Sequence, residues 1–331
     1  METKTRLMAV RESNHKVEGD EDMDGNRANL KTMVRGAYDL QKIRIQVGNR
    51  LTANFRAKLG LQPSDKESEL EEKEQHILDM LRARYKLLTD GVATFPRKTT
   101  FKGDGVISDY TDLCLCAEYF EIERVEKDHF KRLEKEVGEF ALWTMFLEGV
   151  RGIGPAMAGV IISEIDIHLS KYPSSLWKYA GLDVAEDGAG RSRRKEHLVE
   201  REYINKDGKP STRQSITYNQ FLKTKMVGVL GGSFLKAGGK YADIYHAYKH
   251  RLECHAKYGL ENDKHRIAEA KKAGWTRFSP KLHRHNMAIR YMIKMFLIDL
   301  HAAWRAIEGY PPTPVYAEAK LGLKHEQGQA A

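Results

Sequence analysis

Residues 149–161 read GVRGIGPAMAGVI, in which Gly149, Gly152, Gly154 and Pro155 stand between two apolar runs. A helix is expected to end at Gly149. Gly152 and Gly154 then flank Ile153 in a tight turn, and Pro155 suits the first position of a new helix, where its missing N–H costs nothing. Ala158 and Ile162 continue that second helix, so the pattern is a helix-hairpin-helix. Glycine permits a positive φ and close approach of the backbone to a surface, while the helix start presents unpaired amides and the positive end of its dipole. Such a backbone can hold a phosphate without reading base edges. Gly152, Ile153 and Gly154 are therefore candidates for DNA contact, although a glycine-rich packing turn would give the same pattern.

Upstream, the apolar residues recur at helical steps. Met33, Val34, Ala37, Leu40, Val47, Leu51, Phe55 and Leu59 mark one long amphipathic helix that stops at Gly60. A second begins at Pro63 with Ser64 or Asp65 as cap, carries Leu70, Ile77, Leu81, Tyr85 and Leu88, and ends at Gly91. The third is marked by Leu113, Ala117, Phe120, Phe130, Leu133, Val137, Phe140 and Leu147. Three long antiparallel helices over 29–148 form a coiled-coil-like arm, and because three stripes alone bury a thin core, pairing of two copies through these helices is expected. Residues 1–28, polar and poor in aromatics, are expected to be disordered.

The chain has 331 residues, enough for about two domains. Its net charge of +9 is uneven: from Arg151 onward 30 Lys and Arg face 18 Asp and Glu, which gives +12 and leaves −3 for the first 150 residues. A basic half of this size suggests a polyanionic partner, duplex DNA before membrane, with a solvated surface as the alternative. No apolar run approaches a membrane span and no signal-peptide core opens the chain, so the cytoplasm is the expected compartment. Of the three cysteines, Cys114, Cys116 and Cys254, the first two sit in an apolar helical run and read as buried thiols rather than redox or metal groups.

Taken together, GVRGIGPAMAGVIISEIDIHLSKYPSSLWKYAGLDV, the TYNQFLKTKMVGVLG segment and HRHNMAIRYMIKMFLIDLHAAWR resemble the C-terminal domain of insertion-sequence transposases related to the Piv-type DNA invertases. The resemblance covers about half the chain, from near Leu147 to near Trp304. It implies DNA binding, DNA transposition or site-specific recombination, and a serine on a loop after the Gly181-Leu182 segment. It also implies a guide-type RNA and, in an N-terminal RuvC-like domain, four carboxylates for magnesium. No strand that could open such a domain precedes the helices, so Mg2+ is expected only if a partner supplies those carboxylates.

In that loop, Ser192 stands where the serine belongs, with Gly188 and Gly190 before it rather than after it. Arg191, Arg193, Arg194 and Lys195 surround it. A serine among cations can attack a phosphate whose charge they screen, provided a base takes its proton. The same loop could serve only to clamp phosphate, and Ser211 and Ser215, beside Lys209 and Arg213, are weaker candidates. Arg290 and Lys294 form a basic step on the closing helix, apart from its core stripe of Ile289, Ile293, Phe296, Leu300, Trp304 and Ile307; phosphate contact and a solvated face are both open to them. His246, His250 and Cys254 fall at four-residue steps, and His283 with His285 could complete a zinc site, against the plainer reading of a half-buried helix.

The expected fold is mainly α: the helical arm, a compact helical domain over 149–310 with at most one small β-hairpin around Asp207-Gly208, and an extended tail over 311–331. The function that follows is a transposase-family DNA-binding protein with a serine nucleophile. The alternative is a non-catalytic DNA-binding or RNA-associated protein derived from one.

Overall fold

The computed structural model describes residues 20–58, 67–90, 94–311, 313, 314 and 316. About two-thirds of the chain is helical and, among the described residues, the one sheet has two strands, so the fold is mainly α. The chain divides into two compact units, Thr32–Lys135 and the combination of Met1–Lys31 with Glu136–Ala331.

The first unit is built on three helices, α1 (Asp20–Lys58), α2 (Glu67–Thr89) and α3 (Tyr110–Gly138). Leu51 and Phe55 of α1, Ile77 and Leu81 of α2, and Leu113, Cys116 and Tyr119 of α3 meet in one core, plugged by Ile107 from the preceding loop. The Asp104 carboxylate accepts from the amides of Val106 and Ile107 (2.7 Å each), which fixes that plug. Asp112 is buried and is met by the Ser108 hydroxyl, Asn54 and Lys58. Burial pushes the Cys116 thiol up to about 12, so it packs as a small apolar group. The expected stops and cap at Gly60, Pro63, Ser64, Asp65 and Gly91, the Leu59 position and the Leu70 side chain lie outside the described residues, as do residues 1–19.

Two helix limits differ from expectation. Residues 20–28, expected to lack order, are the first turns of α1, and the Arg27 side chain donates to the carbonyls of Ile162 (3.3 Å) and Ile165 (2.5 Å). The third helical stretch does not run unbroken to Leu147. It stops at Gly138, Phe140 is extended, and a short α4 (Ala141–Met145) and a 3-10 turn (Leu147–Gly149) follow.

The second unit is centred on α5 (Pro155–Glu164), whose residues 157–164 are all buried. A helix apolar on every side belongs in the middle of a core. It is followed by α6 (Pro173–Tyr179), the hairpin of β1 (Val199–Ile204) and β2 (Pro210–Ser215), and α7 (Gln220–Thr224), which packs on it and passes through a π-helical turn (Lys225–Leu230) into α8 (Gly231–Ala237). Then come α9 (Lys240–Glu253), α10 (Asp263–Lys272) and the 28-residue α11 (Pro280–Ile307). The expected stripe on α11 buries Ile289, Ile293, Phe296, Leu300 and Trp304. Phe296 meets Phe234 of α8 and Tyr241 of α9 edge-on, at 5.4 and 5.5 Å. Each such buried side chain contributes about 1.5–3 kcal/mol. In the tail, Arg305 donates to the Pro311 carbonyl, and the Thr313 hydroxyl donates to the Lys171 carbonyl (2.6 Å).

Candidate serine centre and nucleic-acid interface

The turn of residues 150–154 enters α5 with Pro155 in its first turn, as its sequence requires. Its glycines serve two different ends. Gly152 has φ +93°, and a Cβ there would press on the Phe234 ring (3.0 Å) and the Ser233 carbonyl (3.1 Å). Packing against α8 therefore accounts for Gly152, and Ile153 is buried. Gly154 is exposed in an ordinary extended conformation, open on its Cβ side. Of the three residues, Gly154 alone turns to solvent, next to the exposed Arg151.

The loop after α6 is cross-tied by an isolated bridge between Val184 and Gly190 and by the ion pair of Arg191 with Asp183 (2.8 Å). These ties turn the chain so that Ser192 lies beside His197. The Ser192 backbone N–H (3.0 Å) and hydroxyl (2.9 Å) both donate to His197 Nδ1. An amide can only donate, so Nδ1 carries no proton. The neutral ring then bears its proton on Nε2 and donates it to Asp187 Oδ2 (3.1 Å). His197 is buried. Backbone donation from Ala189, then His197, holds the Asp187 carboxyl below its ordinary value.

Ser192, His197 and Asp187 thus form a hydroxyl, base and carboxylate in series, the arrangement that activates a serine. The Arg194 amide and Nε each donate to Ser192 Oγ (3.3 Å), so charge developing on that oxygen meets two donors. Arg193 donates to Gln220, and Arg194 and Lys195 are exposed. Neither His197 nor Asp187 stood out in the sequence, because steps of five residues along a loop match no regular element.

Beside this loop the β-hairpin walls a cleft of about 660 Å³, lined by Arg193, Arg201, Arg213 and Ser215 with no acidic residue. Arg201 and Arg213 are cross-strand partners. Like charges directly opposite destabilise a strand pair unless an anion joins them. The two glutamates of β1, Glu200 and Glu202, alternate with Arg201 and point to the other face. Lys209 lies in the turn, and Ser211 and Ser215 are on β2, opposite Tyr203 and Val199.

Arg290 and Lys294 do not form a solvated face. Both are half-buried beneath the serine loop: the Arg290 guanidinium fills the space a Cβ at Gly190 would need, and the Lys294 ammonium lies over the Trp177 ring (5.2 Å). Lys223, which the sequence did not single out, joins them and donates to the Arg191 carbonyl (2.5 Å).

The remaining histidines are engaged separately. His285 Nδ1 meets the Tyr245 hydroxyl (2.6 Å) and His283 Nδ1 meets Arg266 (2.8 Å), while His246, His250 and Cys254 are exposed. Among the described residues no group of three or more His, Cys, Asp or Glu is placed to hold a metal ion. Among the described residues no helix is long and apolar enough to cross a membrane. Comparison with family models, curated proteins and solved structures gives no match.

Proposed function

We propose that this chain is a DNA-binding recombination protein of the transposase type, in which Ser192 acts on the backbone of duplex DNA. The observation that carries the reading is the Ser192–His197–Asp187 series set among Arg191, Arg193, Arg194 and Lys195. The arginine cleft and the exposed Gly154 turn position phosphates without reading sequence, and Arg290 and Lys294 add charge from below. The Ser192 oxygen attacks phosphorus while its proton passes to His197 Nδ1. One phosphodiester P–O bond breaks as the Ser–O–P bond forms; the released strand oxygen takes a proton from water to leave as a hydroxyl, and the hydroxide so formed takes the proton back from His197. Attack of another strand's hydroxyl on the phosphoserine reverses these steps and joins the strands. Pairing of two chains through the N-terminal helices, with a guide-type RNA, belongs to the same proposal.

The test uses the full chain and end-labelled duplex DNA on denaturing gels. A covalent protein–DNA adduct is expected, lost in Ser192→Ala with affinity nearly unchanged and slowed about 10²-fold or more in His197→Gln. Tight DNA binding by the wild-type chain with no adduct would instead establish the non-catalytic reading. If an RNA duplex outcompetes DNA, the partner is RNA.

A further inference from the structure

Four cations converge beneath the serine loop on a single carboxylate. Arg191 takes both its bonds to Asp183 from one oxygen, Oδ2 (3.1 and 2.8 Å), and the other oxygen, Oδ1, is buried without a hydrogen-bond partner. Lys223 donates to a carbonyl and lies over the Tyr218 ring at 4.4 Å. The Arg290 side chain has no hydrogen bond or ion pair among the described residues, and the Lys294 side chain has only its ring contact. All three are partly withdrawn from water.

Burial lowers each of them from its ordinary value. Lys223 falls to about 8, with Arg290 as the next cause, and Arg290 and Lys294 fall chiefly by desolvation. Three half-buried cations sharing one already paired acid repel one another in a medium of low dielectric, a cost that native packing normally avoids. Gly190 is where the loop backbone clears the guanidinium, since any side chain there would displace Arg290.

From this excess of buried positive charge we infer that Arg290, Lys223 and Lys294 form an interior oxyanion site that takes a phosphate group. A guanidinium fork and two ammonium points match the oxygens of a phosphate, and its charge offsets theirs. The site does not depend on chemistry at Ser192. The phosphate comes either from a nucleic-acid backbone or from the free anion.

The experiment is calorimetric titration of the full chain with inorganic phosphate at pH 7, against chloride at equal ionic strength. Saturable binding of one phosphate per chain is expected. Arg290→Met and Lys223→Met should each weaken it about tenfold or more. In chloride both variants should melt no lower than the wild type, because each relieves repulsion; a merely structural role would lower the melting temperature. A duplex oligonucleotide that displaces phosphate identifies a backbone phosphodiester as the natural occupant. Phosphate that stays bound identifies the free anion. No heat beyond that in chloride, or unchanged affinity in the folded variants, overturns the site.

Discussion

The helices of the first unit and the floor beneath the serine loop handle positive charge in opposite ways. In the first unit cations are matched: Arg44 pairs with Glu126, Lys58 with Asp109 and Asp112, Arg82 with Asp79 and Glu123, and Arg124 with Glu121 and Asp128. Beneath the loop, Lys223, Arg290 and Lys294 feel one carboxylate among the described residues, Asp183, which Arg191 already pairs. Matched pairs on exposed helices satisfy their own charge and have little left to offer an outside anion. Unmatched cations held from water store a repulsion that an arriving phosphate would relieve, which is the basis of the proposed oxyanion site.

Four measurements would break or sharpen that contrast. The largest effect is expected at Asp183. Asp183→Asn breaks the Arg191 pair and leaves Lys223, Arg290 and Lys294 without their carboxylate, and should cost about 2 kcal/mol of stability in low-salt urea melts, less than a fully buried pair because both partners are about one-fifth exposed. Added phosphate should restore part of that loss. An unchanged midpoint would mean the cations do not feel one another.

Next comes the cleft. Removing Arg201 and Arg213 together should reduce the slope of log affinity against log salt by about two, and weaken binding alike on unrelated DNA sequences. The same double variant should stabilise the hairpin slightly, since it deletes a like-charge cross-strand pair. Affinity lost for one sequence only would point to base readout instead.

Lys223 supplies the pH test. Its folded value near 8 lies below the ordinary lysine value of 10.5, so above about pH 8 the unfolded chain binds more protons than the folded one. Stability contributed by this group should therefore rise from about pH 8 to pH 10.5, and below pH 8 the burial penalty is present in full. Lys223→Met should flatten that rise in urea melts at pH 7 and 9.5. The smallest effect belongs to the matched helices: Arg124→Ala should leave both the urea midpoint and DNA affinity nearly as they were, because Arg124 and both its carboxylate partners are exposed.

The helical period of residues 30–58 and 110–138, the proline-led start of α5, the hairpin turn at Asp207-Gly208 and the apolar stripe of α11 were all readable along the chain. Each rests on neighbours within a few positions, where backbone geometry repeats. Ser192 was found as a serine among arginines, yet its base was not, since His197 reaches it only after the Val184–Gly190 bridge folds the loop back. The break after Gly138 was equally hidden. Leu142 and Leu147 keep the apolar spacing of a continuing helix and are buried by other elements instead.

Local sequence determined which stretches became helices, where the glycine turn and the hairpin lie, and that the basic excess belongs to residues beyond 150, because propensity, periodicity and charge count are properties of neighbours in the chain. Tertiary structure alone decided that Arg290 and Lys294, spaced like a solvated step on α11, would be drawn under Gly190 beside Lys223 from a different helix. Desolvation and charge proximity depend on what packs against a residue from far away in the sequence, and no spacing within one helix encodes that.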